Sequence, residues 1–358
     1  MRQIKADRLR ELALLIVRAT GSDDAEAAAV ADHLVRSNLC GHDSHGIGML
    51  PDYVRMASAG LLVPNQTLRT VSDSGAVLVF DAGRGYGQTM AAEAMRRGIA
   101  RAGELGAAVV ALRNSSHIGR IGYWAEQCAA AGMASVHFVN VADHSPYQAP
   151  FACSDARLGT NPFCAALPGS DGPSVLLDMA TSAIAFGKAR VARNKGVPVP
   201  EGTLIDAAGR PTTDPTDYVD GKGGALVSFG LHKGSGLAVL CEVLGAALTG
   251  GMTIQPGHPR QGGIVNSMLS IIIDPGAMGS EEAIAAEVEA VKGWIKASPP
   301  APGFDAVLLP GEPERLSFVQ RTADGIPLDE RSLSDIVAAG VALGLDRGLL
   351  APLAGLEG

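Results

Sequence analysis

Apolar residues recur at intervals of three and four near the start of the chain. Leu9, Leu12, Leu15 and Ile16 define one face of a helix from about Ala6. Gly21 stops that helix, and Ser22-Asp23-Asp24 open a second, acidic at its start, which ends near Leu39 with Gly41 beyond it. A third begins near Met49, carries Pro51 in its first turn, where a missing amide donor costs nothing, and stops at Gly60. This spacing predicts that residues 1–70 are all helical.

After Gly75 the pattern changes to short strands alternating with helices. "AVLVFDAG" is followed by a helix over 88–103, "AAVVALRN" by one over 120–131, and then by the strand "MASVHFVNV". "FCAALPG" and "SVLLDMA" continue the strands, and "TLIDAAGRPT" reads as a hairpin with Ala-Gly at its tip. "HKGSGLAVLCEVLGAALTGG" predicts a long helix closed by two glycines, and "SMLSIIIDPG" a buried strand ended by proline. From Ser280 the chain is helical again, interrupted by "SPPAPG" and "LLPGEPE". The expected fold class is α+β. It has a helical part over 1–74, a mixed unit over 75–278, and a helical part over 279–358 that packs with the first, so that the mixed unit is inserted between them.

A chain of 358 residues with 47% hydrophobic content can bury a large core. Its formal charge of −8 leaves no dense basic stripe to neutralise phosphates, which argues against nucleic acid and for small-molecule partners. Five dispersed cysteines without a Cys-x-x-Cys pair read as reduced thiols of a cytoplasmic protein. Charges thread the apolar positions of the N-terminus, unlike a signal peptide, and no apolar run has the roughly 20 residues of a membrane span.

Four stretches carry candidate chemistry. "DAGRGYGQ" resembles a dinucleotide fingerprint, but Gln88 stands where the last glycine is required, so it reads as a tight turn. In "RNSSHIGRIGYWAEQ" a strand ends in Asn114-Ser115-Ser116-His117 beside a helix start, a place suited to an anionic ligand. Asp178 ends the apolar run "SVLLDMA" and needs a partner, for which a histidine is a natural choice, while His232 and Lys233 open a helix between glycines. The stretch "GHDSHGIGMLPDYVR" sets His42, Asp43, Ser44 and His45 together. His42, Asp43 and His45 read as ligands of a metal-dependent hydrolase, or Ser44 and Asp178 form a relay that orients the ring of His45. The spacing alone leaves both open.

Taken in order, "DSHGIGMLPDY", "NSSHIGRIGYWAE", "LGTNPFCAALPG", "LLDMATSAIAFGK", "GVPVPEGTLIDAAGRPTTDP" and "HKGSGLA" resemble the malate/L-lactate dehydrogenase family of the second type, across nearly the whole chain. Within it the chain looks most similar to the hydroxycarboxylate dehydrogenases, which reduce 2-oxo acids, including aryl-pyruvates. The resemblance implies a homodimeric oxidoreductase using NAD or NADP, NAD being favoured, with a nucleotide-binding domain that is not a Rossmann fold. It implies His45 as the proton donor and acceptor with Ser44 and Asp178 as its relay, and His117 as a second catalytic candidate. Cofactor contacts would map to His45, Gly119, Arg120, Ile121, Leu176, Leu177, Asp178, Met179, Ala180, His232, Lys233, Asn266, Pro310, Gly311 and Glu312. Substrate contacts would fall on Met49, Tyr53, Arg120 and Thr160, with no metal. Many members carry an arginine where this chain has Met49, so Arg120 or Arg55 is expected to take over the substrate carboxylate. Reduction of a cyclic 2-carboxy imine is the alternative that uses the same proton donor, and a regulatory protein that kept the nucleotide site after losing turnover is the non-enzymatic one.

Overall fold

A computed structural model describes residues 1–170 and 172–357. In chain order its principal elements begin with β1 (Arg2–Ile4), α1 (Ala6–Ala19), α2 (Asp24–Leu39), α3 (Leu50–Ser58), β2 (Arg69–Ser74), β3 (Val77–Asp81), α4 (Gly87–Leu105) and β4 (Ala107–Ser116). There follow α5 (Gly122–Ala130), β5 (Ala134–Ala142), β6 (Gln148–Ala149), β7 (Phe163–Gly169), β8 (Gly172–Met179), α6 (Phe186–Lys195), β9 (Leu204–Ile205), β10 (Pro211–Thr212), α7 (Thr216–Val219) and β11 (Ala225–Val227). The last are α8 (His232–Glu242), β12 (Val265–Ile273), α9 (Glu281–Lys296), α10 (Glu312–Asp324), β13 (Ile326–Leu328), α11 (Glu330–Ala342) and α12 (Arg347–Leu353).

The sequence periods become two main cores. Leu9, Leu12 and Ile16 of α1 meet Leu34 of α2, Leu50 of α3, and Leu333, Ile336 and Val337 of α11 in one fully buried cluster. Both ends of the chain thus close a single helical core, tied further by antiparallel pairing of β1 with β13. The second core lies against a seven-stranded sheet ordered β2-β3-β4-β12-β5-β7-β8, where Trp124 of α5 and Met95 of α4 pack on Val110 and Met268. Only β3 and β4 run parallel in it, the other neighbours being antiparallel. A smaller sheet, β10-β9-β11-β6, contains the expected hairpin. The fold class is therefore a mixed α+β one.

Three expectations change. Residues 1–70 are not wholly helical, because Arg2–Ile4 pairs with β13 and Arg69–Ser74 with β3. The six residues of β2 are all exposed, so no alternation of apolar residues marks that strand, and the sheet starts before the expected boundary after Ser74. The helix α9 belongs with the sheet rather than with the N-terminal helices: Ser174 of β8 donates to Glu289 at 3.0 Å and accepts from Lys292 at 2.9 Å. Among the described residues no helix is long and apolar enough to cross a membrane.

Candidate active site

The loop between α2 and α3 is fixed from two sides. Asn38, near the end of α2, donates to Asp43 at 2.7 Å and accepts from the amide of Ile47 at 2.8 Å. Arg321 of α10 grips the same aspartate with two nitrogens, at 2.6 and 3.1 Å, and donates to the Asn38 carbonyl. Gly46 is required, because a Cβ there would lie 2.1 Å from the Asn38 amide oxygen. These restraints leave His45 with Nδ1 3.0 Å from Ser44 Oγ, and no described residue bonds its Nε2. Burial, followed by the charge of His42, lowers its pKa to about 4.

His117 follows the last residue of β4 and stacks on His45, with ring centroids 5.5 Å apart and planes inclined by 15°. Its Nδ1 lies 2.8 Å from the hydroxyl of Tyr53, which receives the amide nitrogen of Gln88 at 2.7 Å. With that donor in place, the phenol proton goes to Nδ1, so a neutral His117 carries its own proton on Nε2. Burial, then His45 and His144, depress its pKa to about 3. The "DAGRGYGQ" turn delivers this chain of bonds. Gly87 opens α4 where a Cβ would come 2.4 Å from the His117 carbonyl, and Gln88 follows it. The residue that disqualified the fingerprint thus reaches the site. No sequence signal marked Gln88 for this role.

The segment after His117 is held internally. Ile118 N donates to Asn266 Oδ1, Arg120 N to His33 Nε2, and Gly122 N to Asp178, at 2.9, 2.9 and 3.0 Å. Gly119 has φ +73°, and a Cβ on it would sit 2.0 Å from the His33 ring. The start of α5 is therefore already filled by a carboxylate, which corrects its reading as an open anion site. The side-chain NH2 of Asn266 donates to Asn140 O at 2.9 Å.

Arg120 is 1% exposed, bonded to Glu126 at 2.6 Å and to Asp178 at 3.5 Å. Burial alone would weaken its charge, but Glu126 and Asp178 outweigh it and raise its pKa. Two corrections follow. Arg120 spends both terminal nitrogens on protein carboxylates and is not free to fork onto a substrate carboxylate, while its buried Nε has no partner among the described residues. Asp178 bonds Gly122 N and Arg120 rather than a histidine, and reaches His45 only through its charge. Arg55 is also engaged, by Asp52 and Gly262 O. Met49 packs against the helical core.

Other expected residues gather near the end of β8. Thr181 donates its amide to Thr160 O and accepts from Phe229 N, both at 3.0 Å, joining Thr160, the Asp178–Ala180 stretch and the approach to α8. Leu176 N donates to Pro310 O at 3.2 Å, and Gly311 packs on Leu176. Leu177 and Met179 are half-buried on the same strand, Ile121 is buried in the sheet core, and Glu312 pairs with Lys296. His232 and Lys233 are exposed at the α8 start, the histidine edge-on to Phe151 at 5.8 Å, and no contact joins them to the stacked histidines.

The side chains of the proposed metal set point to different partners: His42 to Glu314, Asp43 to Arg321 and His45 to Ser44. Among the described residues no group of three or more histidine, cysteine or acidic side chains could hold a metal ion.

A model of the malate/L-lactate dehydrogenase family matches residues 4–337, and the chain belongs to that family. It is 49% identical over 342 residues to hydroxycarboxylate dehydrogenase B of Escherichia coli (strain K12), covering 95% of this chain and 94% of that one. It is 41% identical to the L-lactate dehydrogenase of Cupriavidus necator, over 89% and 91% of the two chains. A solved structure of an Escherichia coli protein superposes with a TM-score of 0.94 at 47% identity, covering 99% of both chains.

Proposed function

We propose that the protein is an NAD(P)-dependent 2-hydroxy acid dehydrogenase in which His45 moves the proton and His117 holds the reacting oxygen. The observation that carries this reading is the Gln88–Tyr53–His117 chain of hydrogen bonds beside a second histidine that lacks it. His117 presents a fixed Nε2–H donor. His45, when its Nδ1–H faces Ser44, presents a lone pair on Nε2 and can take a proton from a hydroxyl; protonated, it returns one to an alkoxide. The stack brings the two rings within 5.5 Å of each other, so that one small substrate oxygen could meet both, and the low exposure of His117 limits competition from water for it. Relatives named as hydroxycarboxylate and lactate dehydrogenases support the substrate class.

The residues fit a nicotinamide dinucleotide unevenly. The α5 start is occupied by Asp178, whereas the α8 start, with exposed His232 and Lys233 following two residues of positive φ, is open to a phosphate. Leu176, Pro310 and Gly311 form an adjacent wall for an apolar or ribose part. When bound, the cofactor supplies or accepts the hydride at C2 of the substrate. The mixed sheet domain between the helical ends is the part we assign to cofactor binding, in a homodimeric, cytoplasmic enzyme, with NAD favoured over NADP.

A spectrophotometric screen of 2-oxo acids with NADH and NADPH in parallel, repeated with methylamine, tests the reading. Oxidation of the cofactor by oxo acid alone is expected. Dependence on added amine indicates imine reduction instead, and cofactor binding without turnover of any acid overturns the enzymatic assignment.

A further inference from the structure

On the reading that the substrate is a 2-oxo acid, the site must meet a carboxylate, yet the arginines around the two histidines are taken. Arg120 is held by Glu126 and Asp178, Arg55 by Asp52 and Gly262 O, Arg84 by Asp143, and Arg321 by Asp43. Unused guanidinium groups lie one step further out. A cavity of about 600 Å³ opens between α3, α6 and α11. Gly48, three residues after His45, forms part of its wall, and a Cβ there would meet nothing within 4 Å. The start of α6 sits on the catalytic loop, since a Cβ on Gly187 would lie 3.3 Å from Ser44 Cβ. Three residues along, just under one turn, Arg190 of the same helix lines the cavity.

The eight charged groups lining this space cancel formally, so it does not gather anions by field alone. Its selectivity lies in which groups are still free. Arg55 pairs with Asp52 and Arg193 with Asp220, while both oxygens of Asp329 are taken by Ser332 at the start of α11. Arg190 and, on the α11 wall, Arg331 and Asp335, all three exposed, make no hydrogen bond or ion pair with any described residue, which leaves the free groups with one positive charge in excess. Two planar donor forks without acceptors, on walls of one cavity that begins at the His45 loop, match a carboxylate better than a lysine or a backbone amide would. We propose that Arg190, seconded by Arg331, anchors a carboxylate of the substrate, making the cavity beside Gly48 the substrate subsite. The shared chemistry covers two sources, the carboxylate next to the reacting carbon and a second acidic group at the far end of the substrate.

The test compares wild type with Arg190→Gln, Arg190→Lys and Arg331→Gln, using 2-oxobutanoate and 2-oxoglutarate as substrates. Calorimetric titration with oxalate in the presence of NADH reads binding without turnover. A charged hydrogen bond lost from such a place corresponds to roughly 10- to 100-fold. If Arg190 holds the carboxylate beside the reacting carbon, Arg190→Gln raises KM for both acids by that factor, leaves kcat within about threefold, and weakens oxalate equally. A rise confined to 2-oxoglutarate, with oxalate unaffected, supports the anchor at the distal end. Arg190→Lys recovers part of the loss, because charge returns without the fork. Unchanged KM and oxalate affinity in both glutamine variants, or a fall in kcat alone, overturns the proposal. A wild type that binds oxalate through Arg190 but reduces neither acid counts against the dehydrogenase reading only.

Discussion

His45 and His117 lie face to face, but the protein holds them by different means. His117 follows the end of a ten-residue strand in the middle of a sheet, and its inner nitrogen accepts a hydrogen bond from a buried phenol that itself accepts one from a glutamine. His45 stands in a short loop, pinned through its backbone neighbours by Asn38 and Arg321, with only a serine hydroxyl at its inner nitrogen. A serine rotates to give or take a hydrogen bond, whereas the tyrosine has one direction left. On the proposed reading, the same side chain serves as a fixed donor in one place and as a reversible acid and base in the other. The residue type does not decide this; the partner on the far nitrogen does.

The largest test of that contrast removes each ring in turn. His45→Ala is expected to lower turnover by roughly two to four orders of magnitude while nucleotide still binds, the range for loss of a general acid or base. His117→Ala is expected to cost less, about 10- to 100-fold, because it removes an orienting donor and leaves the proton path in place. Equal losses in the two variants, or a larger loss for His117→Ala, would reverse the assignment.

A smaller change sharpens it. Tyr53→Phe deletes the hydroxyl between Gln88 and His117 and strands both partners in a buried position, at a stability cost of about 1–3 kcal/mol. Turnover is expected to fall roughly tenfold by the same loss of orientation. Nitrogen-15 spectra should show the His117 proton on Nε2 in wild type and a mixture of tautomers in the variant. A wild-type spectrum with the proton on Nδ1 would remove the basis for the distinction.

Acidity provides a third comparison. Both histidines have folded pKa values below the ordinary 6.5, about 4 for His45 and about 3 for His117, because burial disfavours their charged forms. Below pH 6.5 the unfolded chain binds protons that the native protein does not, so stability is full above that value and is lost as pH falls toward 4. Urea midpoints measured from pH 7 to pH 4.5 should decline, and less steeply in His45→Ala. The buried His137, with a pKa near 3, keeps part of the decline in every variant. A midpoint independent of pH across that range would contradict the buried setting of the pair.

What the sequence revealed and what it hid follow from the range of each interaction. The α1, α2 and α3 helices were legible because apolar spacing is local, and His45 and His117 could be singled out as candidates because each stands in a polar cluster at a strand end or in a glycine-bounded loop, although the spacing did not show that their rings meet. The exposed strand β2 carried no such alternation. The partners of Asp178 and Arg120 were misjudged for a different reason. Asp178 is bonded by Gly122, fifty-six positions away, and the Arg120 amide by His33, eighty-seven away, pairings that no local spacing records. Glu126, only six residues beyond Arg120, matches no regular helical pairing interval. A lone acid after a strand suggests that a partner exists without saying which one. Gln88 was hidden in the same way, twenty-nine positions from a histidine that it reaches only through Tyr53.

The smallest expected effect concerns the outer support of the His45 loop. Arg321 bonds Asp43 twice and the Asn38 carbonyl once, yet the aspartate side chain is 46% exposed, so water screens much of the attraction. Arg321→Gln keeps a donor of similar reach and loses the charge. Stability should fall by no more than about 1 kcal/mol, the usual scale of a partly exposed pair. The effect on turnover should be a few-fold, because Asn38 still fixes Asp43 and Ile47 from the buried side. Raising the salt concentration on the wild type should mimic part of the change, and should leave the His117 tautomer untouched, since no exposed ion pair supports that ring. A loss of a hundredfold in Arg321→Gln would mean that the outer clamp, rather than Asn38, sets the position of His45, and the contrast between a loosely and a rigidly held histidine would then have to be redrawn around α10.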